Sequence, residues 1–443
     1  MASASASSSS SSSRPSRGPE RQIVIVGGGI IGCSTAYFLT RHPSYDPSLH
    51  KIVVIEASDI AAGASGKAGG LLALWAYPAC IVPLSFKLHA ELAKEHNGKD
   101  KWGYRVVNCG RLVANGKIFS DKKSDKKDKE TKSGEENGKG VSGGSARSSG
   151  KTGRSASLDE AKRTASKRSG IPADLDWLDP ESLKLYEAMD EPGSTAQVHP
   201  YYFTNTLMQL AQEKGAEVIK GRVVDIKYTA KEGVRSVTYH TKEDDQSVTI
   251  DADDVIVSAG PWTKNVLPQA PISTLRAHSI IIKPQVPISG YALFTEINLP
   301  PGFKGSKGRR MDTPEIYARP DNTVYACGEG DTTAPLPEYA SDVVIEHSRC
   351  RDVVDSISSI SNVLRSGEVI AHQACYLPNV SAPRGGPIVG PTEVRGLFIA
   401  AGHTCWGIQN GPGTGMLMAE FVFDGKAKSA NIDSLHPKYY LRN

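Results

Sequence analysis

Residues 23–32, Ile23-Val24-Ile25-Val26-Gly27-Gly28-Gly29-Ile30-Ile31-Gly32, carry an apolar β-branched run straight into spaced glycines and then an apolar helix. A strand, a G-x-G-x-x-G turn and a helix in immediate succession form the phosphate-binding corner of a dinucleotide fold. Gly27 makes the tight turn, Gly29 lets the backbone approach a pyrophosphate, and Gly32 lets the helix pack on the strand. The helix amino terminus, with Ile30 and Ile31, then faces the negative phosphates. Glu56 closes the next apolar run, Lys51 to Glu56, and is followed by Ala57 and Ser58. A carboxylate there accepts from the adenosine ribose hydroxyls. This corner alone leaves FAD and NAD both open.

Apolar strands alternate with helices through Gln22 to Val26, Ile30 to Thr40, Lys51 to Glu56, Phe203 to Lys214, Glu217 to Ile219 and Val255 to Ser258. That order predicts an α/β sheet as the cofactor layer. Between Ser279 and Ala326 the pattern changes to strand-like runs with turns: Ser279 to Ile282, Tyr291 to Thr295, Ile316 to Arg319 and Thr323 to Cys327. These predict an antiparallel sheet for the substrate. With 443 residues the chain can bury two cores. The expected fold is α/β, a Rossmann-like dinucleotide-binding domain (of the glutathione-reductase, FAD-binding type where the cofactor is FAD) interleaved with an antiparallel α+β substrate domain.

The expected cofactor domain takes 21–85, 195–270 and 365–430, and the substrate domain takes 86–116, 171–194 and 271–364. Residues 1–20 read as a disordered tail and 117–170 as a disordered insertion. A strand, Val106 to Ala114, runs into that insertion, and a helix-like Asp-Pro-Glu-Ser start follows it within Trp177 to Tyr186.

The net charge of +4 is uneven, because Lys117 to Gly170 holds 15 Lys/Arg against 8 Asp/Glu and the remainder is slightly acidic. A basic run almost without aromatics offers nothing for bases to stack on, so nucleic-acid binding is not expected. Seven scattered cysteines without a CxxC pair predict neither a disulfide framework nor a zinc site, and favour a reducing compartment. The first apolar run is broken by glycines, so no transmembrane segment is expected. A cytoplasmic location is expected, with attachment to an organelle or endosomal membrane surface left open and mitochondrial import disfavoured.

A second Gly-rich segment separates the cofactors. Ala61 to Leu72 reads Ala-Ala-Gly-Ala-Ser-Gly-Lys-Ala-Gly-Gly-Leu-Leu, and its small residues can lie along a second large ring. Here the chain resembles the D-amino-acid-oxidase-like (DAO) family of FAD-dependent oxidoreductases, which includes glycine oxidase, sarcosine oxidase and D-amino-acid dehydrogenase. Within that family it resembles a fungal oxidoreductase branch. The resemblance implies that Ala64, Ser65, Lys67, Ala68, Gly69, Gly70 and Leu71 run beside the isoalloxazine. It also implies that Val224 meets the adenine through its backbone and that Ala259, Gly260 and Trp262 form a turn beside FAD. Gly402 and His403, then Gly407, Ile408, Gln409, Asn410, Gly411, Gly413 and Thr414, resemble the flavin loop and helix start of the family, whose N–H groups stabilise reduced flavin. Cys375 sits where sarcosine oxidases attach the flavin, so it is either a covalent anchor or a small core residue.

For a small-molecule amine or amino-acid substrate, the resemblance points to Tyr317 and Arg319, the guanidinium serving a substrate carboxylate. Trp75, Tyr77, His403 and Trp406 are candidates for an aromatic pocket. Two departures stand out. Ala73 and Gln409 occupy the positions of the sarcosine-oxidase carboxylate clamp, and Ala326 that of its oxygen-activating lysine. The expected activity is C–N oxidation by hydride transfer to FAD. The other class left open is a flavin-binding regulatory or trafficking protein with a structural cofactor and a protein partner at 117–170.

Overall fold

A computed structural model of the protein describes residues 21–118, 170–189, 191–304 and 308–441. The tail 1–20 lies outside them, as does the insertion expected at 117–170 apart from Lys117, Ile118 and Gly170.

The first strand, Arg21–Val26, pairs in parallel with His50–Glu56 on one side and Asp254–Val257 on the other. Glu217–Thr229 and Leu397–Ala401 extend the parallel set outward. Three antiparallel strands complete this eight-stranded sheet: Ser247–Asp251 and Gly233–Thr241 at one edge, Ile388–Pro391 at the other. The unbroken β-branched runs are explained by burial on both faces. Ile23, Ile25, Ile52 and Val54 meet the helices Ile30–Leu39, Pro200–Gln212 and Gly407–Asp424. Val24, Val53, Val255 and Ile399 point the opposite way, into a second core.

The second large sheet runs Glu368–Val380, Ile272–Lys283, Val324–Cys327, Glu315–Ala318, Tyr291–Asn298, Asn108–Asn115 and Leu183–Ala188, with Met311–Asp312 added to Tyr291–Asn298. Its one parallel pairing joins Tyr291–Asn298 to Asn108–Asn115. The helix His347–Ser358 covers one face, packing Cys350, Val353 and Ile357 onto Ile280, Ile282 and Val324. The other face, with Tyr317 and Tyr325, turns toward Leu71 and Trp406 and so toward the first sheet. Leu71–Ala73, Thr195–Gln197 and Arg105–Val106 form a small antiparallel sheet.

Two expectations need correction. Asp179-Pro180-Glu181 starts no helix: Ser182 closes a turn on Asp179 and the chain continues as the strand Leu183–Ala188. The Asp179 carboxylate is committed elsewhere, accepting from the backbone N–H and Nδ2 of Asn362. The stretch 365–430 does not belong wholly to the cofactor layer, because Glu368–Val380 pairs along its length with Ile272–Lys283 of the second sheet. No helix among the described residues is long and apolar enough to cross a membrane.

Candidate functional site

A cavity of about 460 Å³ lies between the two large sheets. At one end it is lined by Gly27, Gly29, Ile30 and Ile31. Gly27 has φ +107°, and a Cβ there would stand 2.6 Å from the Ser258 carbonyl oxygen. Gly32 lies beneath the turn, and its added Cβ would stand 2.0 Å from the Gly27 oxygen. The helix Ile30–Leu39 has no side-chain cap; Ile30 N–H donates to Ser65 Oγ at 2.9 Å and Cys33 N–H to Gly29 at 2.9 Å. The N–H groups of Ile31 and Gly32 thus have no partner within the helix, at its positive end.

Glu56, Ala57 and Ser58 line the cavity beside this anion seat. The Glu56 carboxylate accepts from Gly28 N–H at 2.7 Å and Ser58 N–H at 2.8 Å. Burial raises its pKa and these backbone donors oppose the rise. Val224 does not line the cavity; Gly221, Arg222 and Val223 do. Beside Val224 the pairing of Glu217–Thr229 with Gly233–Thr241 is irregular and shifts register between Val223 and Asp225.

The middle is walled by Ala64, Ser65, Lys67, Ala68, Gly69 and Gly70, with Leu71 following. An added Cβ at Gly69 would stand 2.0 Å from the Tyr317 ring, and one at Gly70, with φ +89°, 2.0 Å from the Val198 oxygen. Only glycine allows this segment to pack so close against Tyr317 and Val198. Ala259, Gly260 and Trp262 form the opposite wall, Trp262 Nε1–H donating to the Pro337 carbonyl at 2.7 Å. Cys375 also lines the cavity as a thiol, its pKa pushed up to about 11 by burial against the pull of Lys67. The Lys67 ammonium donates to the Ala374 carbonyl at 3.0 Å.

Gly402, His403, Gly407 and Ile408 line the cavity, presenting the first turn of the helix Gly407–Asp424. Gln409, Asn410, Gly411, Gly413 and Thr414, expected to touch the cofactor, do not line it, because only the first turn of that helix faces inward. They fix the helix in place instead. Gln409 Oε1 accepts from Ala73 N–H at 2.8 Å, so the two positions of the missing carboxylate clamp bind each other. Asn410 Nδ2 donates to the Tyr77 carbonyl at 2.9 Å. Added Cβ atoms at Gly411 and Gly413 would stand 2.6 Å from Ile30 and 2.9 Å from Ile81. Ser85 Oγ donates to the Gln409 carbonyl, and His89 Nε2 to the Ile408 carbonyl at 2.9 Å. His403 Nε2 and Thr414 Oγ1 lie 3.0 Å apart.

Burial lowers the pKa of His89 to about 4 and that of His403 to about 3. Both rings are neutral in the folded protein, whereas the unfolded chain protonates them near pH 6.5. Below that pH the unfolded state binds more protons, so this stability is complete above pH 6.5. It is lost as pH falls toward about 4 for His89 and about 3 for His403. At pH 5 the pair is expected to cost about 4 kcal/mol relative to neutral pH. Thermal melting at pH 7 and pH 5 checks this, and His89→Asn should remove roughly half of the difference.

The far end of the cavity is the inner face of the second sheet. Phe294, Glu315 and Cys327 are directly opposed across three strands, and Tyr317 and Tyr325 form the next rung. All five line the cavity, with Trp406 beside them. Tyr317 and Tyr325 stack with centroids 5.8 Å apart, and the Tyr317 hydroxyl donates to Glu315 Oε2. Trp75 and Tyr77 stand edge-on to Trp406 at 5.5 and 5.9 Å.

Tyr317 lines the cavity, whereas Arg319 does not. Its guanidinium is buried, donates to the Ala68 carbonyl at 2.7 Å and lies over the Tyr325 ring at 5.2 Å. It props the 64–71 segment from behind instead of reaching a substrate carboxylate. Glu315, Phe294, Tyr325 and Cys327 were not singled out by sequence. Ala326, on the covered face, is fully buried away from the cavity.

A glycine-lined anion seat, a ribose-side carboxylate and a flat walled slot between two sheets fit an extended dinucleotide with a second large ring. The family model described as FAD dependent oxidoreductase (DAO) matches residues 22–421. The Saccharomyces cerevisiae protein named "Putative oxidoreductase TDA3" is 37% identical, over 96% of each chain. The Schizosaccharomyces pombe protein named "Putative oxidoreductase C1F5.03c" is 32% identical, over 95% of this chain and 98% of that one. Among solved structures, glycine oxidase from Bacillus cereus has the same fold, with TM-score 0.62 and 18% identity over 96% of this chain and 99% of that one. L-proline dehydrogenase from P. horikoshii matches with TM-score 0.63 and 16% identity, over 96% and 100% of the two chains. With the family model spanning both sheets, the chain belongs to the DAO family of FAD-dependent oxidoreductases.

Proposed function

We propose that this enzyme oxidises the C–N bond of a small amine or amino acid. The observation that carries the proposal is the single cavity running from the Gly27–Gly32 corner to the aromatic wall of the second sheet, so one enclosed space serves both cofactor and substrate. The names of the structural neighbours, glycine oxidase, L-proline dehydrogenase and L-amino acid deaminase, support the substrate class.

When bound, FAD supplies the hydride acceptor. The helix amino terminus at Ile30 and Ile31 would hold its pyrophosphate, Glu56 its ribose, and the 64–71 segment its ring system. The first-turn N–H groups of Gly407 and Ile408 would favour the negative charge of the reduced ring. Phe294, Tyr317, Tyr325 and Trp406 exclude water and confine the substrate carbon at a fixed attitude, the main protein contribution to such a transfer. The substrate carbon gives up its hydrogen with both electrons, the nitrogen loses a proton, and water hydrolyses the resulting imine to a carbonyl compound. The electrons then leave to oxygen or another acceptor.

Anaerobic mixing of the purified holoprotein with a panel of primary amines, secondary amines and amino acids tests this reading. At least one compound is expected to bleach the visible flavin band and yield an equal amount of carbonyl product. A band that the whole panel leaves unchanged, while dithionite bleaches it, would reject the proposal.

A further inference from the structure

Resting on the C–N reading above, we infer that Glu315 is the counter-ion for the substrate, which is a cationic amine carrying no carboxylate beside its reacting carbon. Glu315 faces the cavity from the middle of the inner rung, between Phe294 and Cys327. It accepts a hydrogen bond from the Tyr317 hydroxyl and a weak one from Cys327 Sγ at 3.8 Å. An ionised carboxylate has about four acceptor sites, so capacity remains on the cavity side. No described Lys or Arg forms an ion pair with it, although a carboxylate taken out of water needs a partner. An ammonium ion entering from the cavity supplies that partner.

The surroundings agree with a cation and disagree with an anion. Tyr317, Tyr325, Phe294 and Trp406 line the same space, an aromatic setting that suits an organic ammonium ion better than an anion. Two cationic side chains line the cavity, and both are engaged: Lys67 with the Ala374 carbonyl, and Arg222 with Glu338 at 2.7 Å. Arg319 is turned to the Ala68 carbonyl. A carboxylate placed at this end would face Glu315, a like charge in a poorly solvated space, and would have to draw Arg319 off the Ala68 carbonyl or Lys67 off the Ala374 carbonyl to gain a partner.

The test uses FAD-loaded protein and three probes built on the same phenyl ring: benzylamine, phenylglycine and benzoate. Binding is read from perturbation of the visible flavin spectrum. Benzylamine is expected to bind at least tenfold more tightly than either carboxylate. Glu315→Gln should weaken benzylamine at least tenfold while retaining the FAD content, and Glu315→Asp should restore most of the affinity. Equal or tighter binding of phenylglycine or benzoate overturns the inference, as does absence of benzylamine binding or unchanged affinity in Glu315→Gln. The probe comparison on the unmodified protein decides the matter even where the variant fails to fold. If an amino acid bleaches the flavin while the carboxylate probes win, only the substrate class falls. Benzylamine binding through Glu315 without bleaching by any amine removes the C–N reading and leaves the cation site.

Discussion

Gly32→Ala is expected to yield protein that retains almost no FAD after dialysis and melts at a markedly lower temperature. The added methyl carbon would stand 2.0 Å from the Gly27 carbonyl oxygen and 3.0 Å from Ser258 Oγ. The first of these is backbone in the tight turn itself, so it cannot swing aside as a side chain would. The helix Ile30–Leu39 has to lift from the first strand, although nearly all of its residues are buried. Overpacking of this kind costs about 1–3 kcal/mol or more. The same displacement misdirects the helix amino terminus at the anion seat, where Ile30 and Ile31 line the cavity. Loss of FAD affinity by a factor of at least about 100, or about 2.7 kcal/mol, is the expected outcome. Flavin content per chain and a thermal melt measure both effects; a variant with full flavin content would show that the corner does not seat the pyrophosphate.

Glu56→Ala is expected to weaken FAD by a factor of about 100 without unfolding the chain, since one charged hydrogen bond contributes about 1.5–3 kcal/mol. In the structure Glu56 gathers the N–H groups of Gly28 and Ser58, so it both shapes the Gly-rich turn and presents the carboxylate. Alanine removes the acceptor for a ribose hydroxyl and leaves two backbone donors unpaired. Glu56→Gln keeps one acceptor oxygen and should lose only about tenfold. Titration of apoprotein with FAD, followed by quenching of flavin fluorescence, gives the two constants. Wild-type affinity in Glu56→Ala would remove the ribose assignment.

What the sequence made legible was whatever a local backbone requirement imposes. Gly27, Gly29 and Gly32 are spaced by the turn they make, and Gly69 and Gly70 sit where contacts would block a Cβ, so spacing pointed to the corner and the family resemblance to the segment that follows it. The substrate half obeys another rule. Phe294, Glu315 and Cys327 come from three strands and meet through sheet register, which no local pattern encodes. Arg319 shows the same limit from the other side. Strand alternation puts it on the same face as Glu315 and Tyr317, but whether a long side chain reaches the cavity or stops at the Ala68 carbonyl is decided by a segment about 250 residues earlier. Val224 stands just outside the lining, at a pairing irregularity that no local pattern marks. The Asp-Pro-Glu-Ser start after the insertion failed because the Asp179 carboxylate had a remote partner, Asn362.

The order in which the sheet is threaded bears on how the protein is made. Asp254–Val257 lies between the first strand and Leu397–Ala401, and the helix that follows packs Gly411 and Gly415 onto Ile30 and Ser34. The phosphate corner and the 64–71 wall are thus translated first, yet the wall at Gly402 to Ile408 arrives last. A nascent chain cannot close the flavin site until Gly407 and the following turns have left the ribosome, because loops of this length must be closed before their contacts repay the lost freedom. Until then, two half-built sheets are exposed without the cofactor that would hold them together. Vitamin supply should therefore govern how much of this protein survives synthesis, apart from how fast each finished molecule works.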